Sequence, residues 1–209
     1  MKKILCIILS LVLLIGALAS CGKGKNEENN ALSIPNTTIT DEVTDYVVMD
    51  IKDFGPIVIH LLPDVAPETV ANFKKLVSEG FYDGLIFHRV ISEFMIQGGD
   101  PQGNGYGGSN QTIKGEFAAN GFENNLKHER GVISMARTND PDSATSQFFI
   151  VHQTSANNSY SLDGKYASFG YVVYGIEVVD AIAAVKTDYY DRPLTPVVIN
   201  SVKFAIVSE

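Results

Sequence analysis

The chain of 209 residues contains no tryptophan and only two cysteines, and its acidic side chains outnumber its basic ones by 24 to 16. Two cysteines exclude a small fold that is held together by several disulfide bonds. The net charge of −8, without any basic stripe, argues against a nucleic acid as a partner. The fold must therefore depend on a hydrophobic core.

The long apolar run of the chain stands at its N-terminus, over residues 4–18, directly after Lys2 and Lys3. This pattern predicts a secretory signal over residues 1–20, because the run is too short and too poorly flanked to be a membrane-spanning helix. The letters LASC that end at Cys21 resemble the lipobox of bacterial lipoproteins, in which the cysteine is acylated and becomes the new N-terminus. An ordinary cleaved signal followed by a chance cysteine is the alternative.

Removal of the signal would leave Cys21 as the only cysteine, so that no disulfide could form within the mature chain. The loss of Lys2 and Lys3 would take the net charge from −8 to −10. Each buried methylene of an acyl chain contributes about 0.8 kcal/mol, so two or more chains hold a protein on a bilayer. We therefore expect a protein outside the cytoplasm that contacts a bacterial membrane through its lipid anchor only. We also expect it to be a monomer.

The rest of the chain divides into a polar segment and one domain. Residues 21–45 show no apolar periodicity, which predicts a flexible tether that begins at the acylated cysteine. Residues 46–209 are enough for one domain with a substantial core. No internal repeat and no second domain is visible in the sequence.

The domain alternates short apolar runs with polar or glycine-rich loops. Strand-like alternation over residues 47–51 and 57–62 predicts a hairpin. Apolar residues at helical spacing predict two helices, over 67–80 and 176–185. Further strands are predicted over residues 85–91, 94–97, 131–135, 147–152 and 197–206. Many strands with only two helices are typical of a closed β-barrel that is capped by helices.

Two blocks of sequence carry the chemistry of this domain. The first, FHRVISEFMIQGGDP over residues 87–101, places Arg89 among apolar residues, with the amide side chain of Gln97 close behind. The second, SQFF over residues 146–149, follows about fifty residues later. Together with a glycine-rich stretch, GVISMA and LDGKYASFG, these blocks resemble the cyclophilin family of peptidyl-prolyl cis-trans isomerases in order and spacing.

The resemblance covers nearly the whole domain from Tyr46 onward. It implies a mainly β fold, namely a closed eight-stranded antiparallel β-barrel capped by two α-helices. It also implies an enzyme that isomerises X-Pro bonds, here in polypeptides outside the cytoplasm, and that assists their folding. No cofactor is implied.

Isomerisation of an X-Pro bond needs no nucleophile, metal or proton relay. Amide resonance gives the C–N bond partial double-bond character and a barrier of about 20 kcal/mol. A catalyst must hold the proline ring and supply a donor that stabilises the twisted amide. An arginine is suited to this, because its planar group is always charged and donates in several directions.

The resemblance assigns these roles to residues of this chain. Arg89 would be the catalytic arginine of the FHR motif, Gln97 would orient Arg89 and the bound backbone, and His88 is the motif histidine. Ala136 and Arg137 fall on the segment that bonds to the substrate main chain. The substrate-binding residues implied are Phe94, Met95, Ala136, Arg137, Gln147, Phe149, Leu162 and Tyr166.

Three positions depart from the usual family pattern. Arg137 replaces an asparagine, and we expect it to leave activity intact while adding a preference for acidic residues in the substrate. Tyr166 replaces a histidine and keeps an aromatic wall with a polar tip. Ser161 stands where a tryptophan is common, and the loss of that large apolar face predicts weak binding of the cyclic peptide inhibitor cyclosporin.

Alternatives remain at this level. Arg89 alone could be a structural cation paired with a carboxylate, and the aromatic residues of the two blocks could belong to the core. The domain could also bind proline-containing segments as a non-catalytic adaptor or chaperone, although Arg89, Gln97 and Phe149 favour the enzyme. A lipoprotein that presents a surface to a partner is a third possibility.

Other catalytic classes find little support. The GxGxxG pattern over residues 103–108 is not followed by a helical pattern, so it does not indicate a dinucleotide site. It is expected to be a loop beside the active face. The four histidines are scattered, which gives no metal site, and no serine lies in a nucleophile elbow.

Overall fold

The computed structural model describes residues 34–153 and 162–208. The chain separates into two units, Met1–Ala31 and Leu32–Glu209, and every described residue belongs to the second. The predicted signal, Cys21 and Ser161 lie outside the described residues. Within the part that is described, no helix is long and apolar enough to cross a membrane.

Antiparallel strands dominate the described residues. The ten strands are β1 Thr37–Thr40, β2 Tyr46–Ile51, β3 Gly55–Leu61, β4 Ile86–Phe87, β5 Arg89–Ile91, β6 Met95–Gly98, β7 Val132–Met135, β8 Phe148–Val151, β9 Ser168–Tyr174 and β10 Val197–Val207. The sheet has the order β1-β10-β2-β3-β9-β7-β8-β6-β5, and β4 pairs with β10 beside this path. The predicted mainly β fold with two helices is confirmed.

The predicted closed eight-stranded barrel is wrong in two respects, because the described residues form ten strands and hydrogen bonds do not close the sheet. The run predicted as one strand over 85–91 is divided at His88. Before this residue, β4 pairs with β10, and after it, β5 pairs with β6. The two ends of the sheet are thus joined by the chain at His88, not by a hydrogen-bonded ladder.

The first strand is a further departure from the predicted eight strands. β1 lies within the segment 21–45 that was predicted to be a flexible tether, and it pairs along the outer edge of β10 from Thr37↔Val207 to Thr40↔Phe204. Three threonines and one isoleucine favour the extended conformation. Ile34, just before β1, is buried against Val48 and Val58 on the outer side of the sheet.

Both predicted helices are present. α1, Pro67–Ser78, begins with a proline in its first turn and is followed by Gly80 in the left-handed region. Its first free N–H groups, those of Glu68 and Thr69, donate to the carboxylate of the buried Glu116 at 2.9 and 2.8 Å. α2, Ile176–Ala183, ends two residues before the predicted boundary.

The core lies between the sheet and the helices. Four of its largest members are aromatic residues joined by ring contacts at centroid distances between 4.9 and 5.9 Å, namely Phe73 of α1, Tyr82, Phe148 and Phe169. Offset and edge-to-face contacts of this kind add to the burial of apolar area. Phe148 therefore belongs to the core, as the structural alternative suggested, whereas its neighbour Phe149 points to the other face of β8.

Candidate active site

Strand pairing brings the catalytic candidates together. Arg89 on β5 lies opposite Gln97 on β6, and Gln97 lies opposite Phe149 on β8. Opposite residues in antiparallel strands project to the same face of a sheet. A cross-strand row therefore carries the arginine, the amide and the aromatic ring side by side, although they are 60 residues apart in sequence at most.

An apolar cluster adjoins this row and is separate from the main core. Met95 and Phe149 are buried in it together with Val132 and Val151. Partly buried residues that pack against it include four more of the predicted substrate-binding set, Phe94, Ala136, Leu162 and Tyr166. The structure thus brings together six of the eight residues predicted to bind substrate, and it places them in a partly open cluster beside Arg89.

The ring of Phe149 is supported from two sides. His128 stacks on it with ring centroids 6.0 Å apart, and Tyr166 meets it edge to face at 5.9 Å. His128 is buried and makes hydrogen-bond contacts of 3.0 Å with both Asp163 Oδ1 and Ser134 Oγ. Burial lowers the pKa of His128 more than Asp163 raises it, so a neutral imidazole supports the ring.

The two glutamines link the row to the glycine-rich loop. Gln97 Nε2 donates to Gln147 Oε1 at 2.9 Å. Gln147 Nε2 in turn donates to the carbonyl oxygens of Gly107 and Gly105, at 2.7 and 3.1 Å. This chain of amides fixes the orientation of Gln97 and leaves its carbonyl end directed away from Gln147.

The glycine-rich loop is a rigid turn beside the active face, not a dinucleotide site. The carboxylate of the buried Asp100 accepts hydrogen bonds from the backbone N–H groups of Gln102, Asn104 and Gly105 at 2.6 to 2.9 Å. Burial alone would raise the pKa of Asp100. The hydrogen bonds from these N–H groups and from that of Gly107 stabilise the carboxylate more strongly, so the pKa of Asp100 is lowered. A side chain at Gly107 would collide with Asp100 Oδ1.

Arg89 is exposed and only weakly paired. Its Nε lies 3.4 Å from Asp191 Oδ2, and about two fifths of each side chain is exposed. An exposed ion pair at this distance contributes little to stability. The structural alternative for Arg89 therefore explains its position poorly, and its charge stands at the edge of the apolar cluster.

Arg137 does not extend freely into solvent. Its guanidinium group lies over the rings of Phe117 and Tyr166, at 4.9 and 4.7 Å from their centroids. It also donates to the carbonyl oxygens of Lys165 and Thr138 at 2.7 to 3.0 Å. Arg137 thus braces Tyr166 in the wall of the apolar cluster, and its predicted preference for acidic residues in the substrate stays a prediction.

Two recesses flank Gln97. The first, of about 360 Å³, is lined by Gln97, Gly105, Tyr106, Gly107, Gly108, Ser109, Ala136, Arg137, Thr138, Ser143, Thr145 and Gln147. The second, of about 560 Å³, is called the Arg192 recess and is lined by His88, Arg89, Gln97, Asn104, Gly105, Tyr106, Tyr190 and Arg192. His88, a predicted catalytic residue, thus lies in the wall of the second recess and outside the apolar cluster.

Several residues of the site were missed from the sequence. His128 and Asp163 support Phe149, Asp100 holds the glycine-rich loop, and Asp191 lies beside Arg89. An aspartate between two glycines and a proline is a turn signal that points to Asp100. The others come from distant parts of the chain, and no local pattern indicates them. No group of three or more metal-binding side chains occurs among residues 34–153 and 162–208.

Comparison with known proteins places this arrangement in a class. The sequence model of the cyclophilin-type peptidyl-prolyl cis-trans isomerases matches residues 46–204. A peptidyl-prolyl cis-trans isomerase of Schizosaccharomyces pombe is 45% identical over 143 residues, which cover 68% of this chain and 88% of the relative. One from Streptomyces antibioticus is 46% identical over 159 residues, covering 71% and 92%.

Solved structures agree with the sequence relatives. A cyclophilin-type isomerase of Cryptosporidium parvum has a TM-score of 0.68 at 29% identity and covers 76% of this chain and 96% of its own. The same protein studied in the presence of the dipeptide Ala-Pro has a TM-score of 0.67 at 28% identity, with coverages of 78% and 99%. The chain belongs to the cyclophilin-type peptidyl-prolyl cis-trans isomerases. It is an isomerase.

Proposed function

We propose that this isomerase acts outside the cytoplasm, held to a bacterial membrane by a lipid on Cys21, and that it helps exported polypeptides to fold. The observation that carries the catalytic part is the cross-strand row of Arg89, Gln97 and Phe149 beside the apolar cluster. The sequence pattern LASC at the end of an apolar run supports the anchor. Uncatalysed X-Pro isomerisation takes tens to hundreds of seconds and can limit folding, so a catalyst near newly exported chains is useful.

In this proposal each part of the site has one task. The apolar cluster around Phe149 binds the proline ring, because the three methylene groups of that ring gain by leaving water. Arg89 donates to the substrate amide and stabilises its twisted form, in which the nitrogen lone pair no longer overlaps the carbonyl. Gln97, oriented by Gln147, holds the substrate backbone so that the twist occurs beside Arg89.

The catalytic role of Arg89 is tested with a protein that begins at Gly22 and so lacks the predicted signal and Cys21. The measurement is the rate at which this protein isomerises a short X-Pro peptide. Arg89→Ala should lower kcat/KM about a hundredfold or more, because one preorganised donor contributes about that much. Lys52→Ala, which removes an exposed cation from the β2–β3 turn, should have no effect. Full activity of a folded Arg89→Ala variant would contradict this role.

The anchor is tested separately in cells. A fatty acid with a clickable tag should label the full chain and not Cys21→Ser, and only the labelled form should sediment with membranes. Equal labelling of both would contradict the anchor while leaving the isomerase untouched.

Weak cyclosporin binding also remains a prediction, since Ser161 lies outside the described residues.

The folding role has its own experiment. The isomerase should accelerate the slow refolding phase of an unfolded exported protein with a native cis proline, and Arg89→Ala should not. A parent protein that binds the unfolded chain without accelerating the phase would favour the adaptor or chaperone instead.

A further inference from the structure

The Arg192 recess has no task in the mechanism above. It shares Arg89 and Gln97 with the active row but lies away from the apolar cluster, and its volume of about 560 Å³ is enough for an amino-acid side chain. Its lining is polar and cationic, with two arginines and no aliphatic side chain. A ligand for it must therefore be polar, and the question is which charge it carries.

His88 in the wall of this recess lacks a partner. Its side chain is buried, with 5% of the residue exposed, yet neither Nδ1 nor Nε2 has a hydrogen-bond partner among the described residues. Buried polar atoms are normally hydrogen-bonded, so an unpaired ring calls for an explanation. A side chain at Gly105 would meet the ring edge, Cδ2 and Nε2, at 4.0 Å, so this edge packs against the loop residue that lines the recess with it.

One wall of the recess is a tight turn that presents Arg192. The carboxylate of Asp188 accepts hydrogen bonds from the N–H groups of Tyr190 and Arg192, at 2.8 and 3.0 Å. The carbonyl of Asp191 accepts from the N–H of Val90 on β5 at 2.8 Å, which fastens the turn beside Arg89. The opposite wall is the loop held by Asp100. Both walls are therefore fixed before any ligand binds.

The charges in the recess favour an anion. Among the described residues, Arg192 has no carboxylate within ion-pair distance, and its Nη2 makes one long bond of 3.4 Å to the carbonyl of Asn104 across the mouth. Asp191 compensates Arg89 in part, and the carboxylate of Asp100 already accepts backbone N–H groups of the glycine-rich loop. The guanidinium group of Arg192 is therefore the charge of this recess that is not paired with a carboxylate among the described residues, and it favours an anion as the ligand.

We infer that the Arg192 recess binds a carboxylate side chain of the polypeptide substrate, close in sequence to the isomerised proline. The planar group of Arg192 matches a carboxylate in geometry, and the ring of His88, whose nitrogens are unpaired, lies in the wall of the same recess. Because the recess shares Arg89 and Gln97 with the cross-strand row, the bound residue would lie beside the apolar cluster that holds the proline ring. This inference rests on the proposal above that the cluster and the row bind a polypeptide substrate.

The test uses pairs of peptides with one X-Pro bond, which differ by glutamate or glutamine at each of the three positions before the proline and the three positions after it. Isomerisation is followed by NMR exchange, which does not depend on a coupled protease. At one position at least, glutamate should raise kcat/KM about three- to tenfold over glutamine, which is the size expected for a partly exposed charge pair. Arg192→Gln should bring this ratio to about one, and Arg192→Lys should restore part of it.

Lys52→Gln serves as the control, because it removes the same charge from the exposed β2–β3 turn and should leave the ratio unchanged. In the unaltered protein the preference should also fall as salt is raised, which needs no variant. A ratio near one at all six positions, or the absence of any position at which the preference is lost in Arg192→Gln, overturns the inference; a preference at another position that survives this change belongs to Arg137. Isomerisation of the glutamine peptides measures the activity of the catalytic site alone. A protein without isomerase activity is therefore distinguished from an active isomerase whose Arg192 recess does not bind a carboxylate.

Discussion

Individual side chains in this site act through their neighbours. Arg89 supplies the charge, and the pairing of β5 with β6 places Gln97 beside it. Gln97 is oriented by a hydrogen bond to Gln147, and Gln147 is held by carbonyl groups of the glycine-rich loop. Such a chain of hydrogen bonds behaves as a unit, because the loss of any member leaves the next one unoriented.

The coupling of the two glutamines is the first prediction. Gln97→Ala and Gln147→Ala should each lower kcat/KM about tenfold, and the double variant should be little worse than either single one, because both remove the same oriented amide. Peptide isomerisation rates of all four proteins give the coupling energy. Gln111→Ala on the exposed far part of the loop is the matched control. Additive losses would contradict the unit.

The two buried histidines predict how stability depends on pH. Burial lowers the pKa of His88 and of His128 in the folded protein, and Asp100 and Asp163 respectively offset only part of this. The unfolded chain takes up these protons below a pH of about 6.5, whereas the folded one does not until its own lower pKa values are reached. The free energy of unfolding should therefore fall as the pH drops through this window, by at most about 1.4 kcal/mol per pH unit for each histidine.

Urea denaturation between pH 5 and pH 8 measures this slope. His128→Asn should be less stable at pH 8, because the support of Phe149 is lost, but its stability should depend less on pH. An unchanged slope in that variant would assign the pH dependence to other groups.

At the scale of elements, the sheet separates a functional end from a structural one. β5 with Arg89 is the last strand of the hydrogen-bonded path and β1 is the first. The active row therefore does not depend directly on the segment before Tyr46. That segment instead covers Val48, Val58 and Ala205 on the outer side of the sheet, with Ile34 buried among them.

Removal of this covering segment gives the third prediction. A chain that begins at Thr44 should be about 2 kcal/mol less stable than one that begins at Gly22, which is the contribution of one buried isoleucine side chain. Its kcat/KM on a short peptide should be unchanged. Chemical denaturation and peptide isomerisation, made on both forms, check the two statements. A large loss of activity would show that β1 supports the site after all.

Elements with regular apolar spacing could be predicted, and the others could not. The β2–β3 hairpin and α1 follow directly from alternation and from helical periodicity. β9 was not predicted as a strand, because Gly170 interrupts it; a side chain there would collide with the carbonyl of His60 on β3. β1 was missed because its three threonines, beside the single Ile39, show no apolar periodicity.

The site shows the same limit. Arg89, Gln97 and the apolar cluster were predicted because they lie in blocks that resemble a family. The groups that hold them, such as His128 behind Phe149, act across distances of tens of residues in sequence and become visible only in the fold. The division of the sheet at His88 likewise depends on which strand each side of that residue pairs with.

At the scale of the whole molecule, the proposed anchor would set where the isomerase works. Residues 22–33 separate Cys21 from the described domain. A chain of about a dozen residues spans at most about 45 Å, so an acylated protein would keep its site within a short distance of the bilayer. Substrates near the same surface would then meet the enzyme at a raised effective concentration.

The last prediction follows from this geometry. Acylated protein on lipid vesicles should isomerise an X-Pro peptide that is anchored to the same vesicles about ten times faster or more than Cys21→Ser does at the same total concentration. Both proteins should be equally active on the free peptide, because the cross-strand row is formed by residues of β5, β6 and β8 and the change at Cys21 alters none of them. NMR exchange or a fluorescent X-Pro reporter measures both rates. Because proximity adds no contact to the site, an advantage that persists on the free peptide would mean that the lipid acts on the fold and not on the location. Equal rates on the anchored peptide would mean that anchoring gives this isomerase no catalytic benefit.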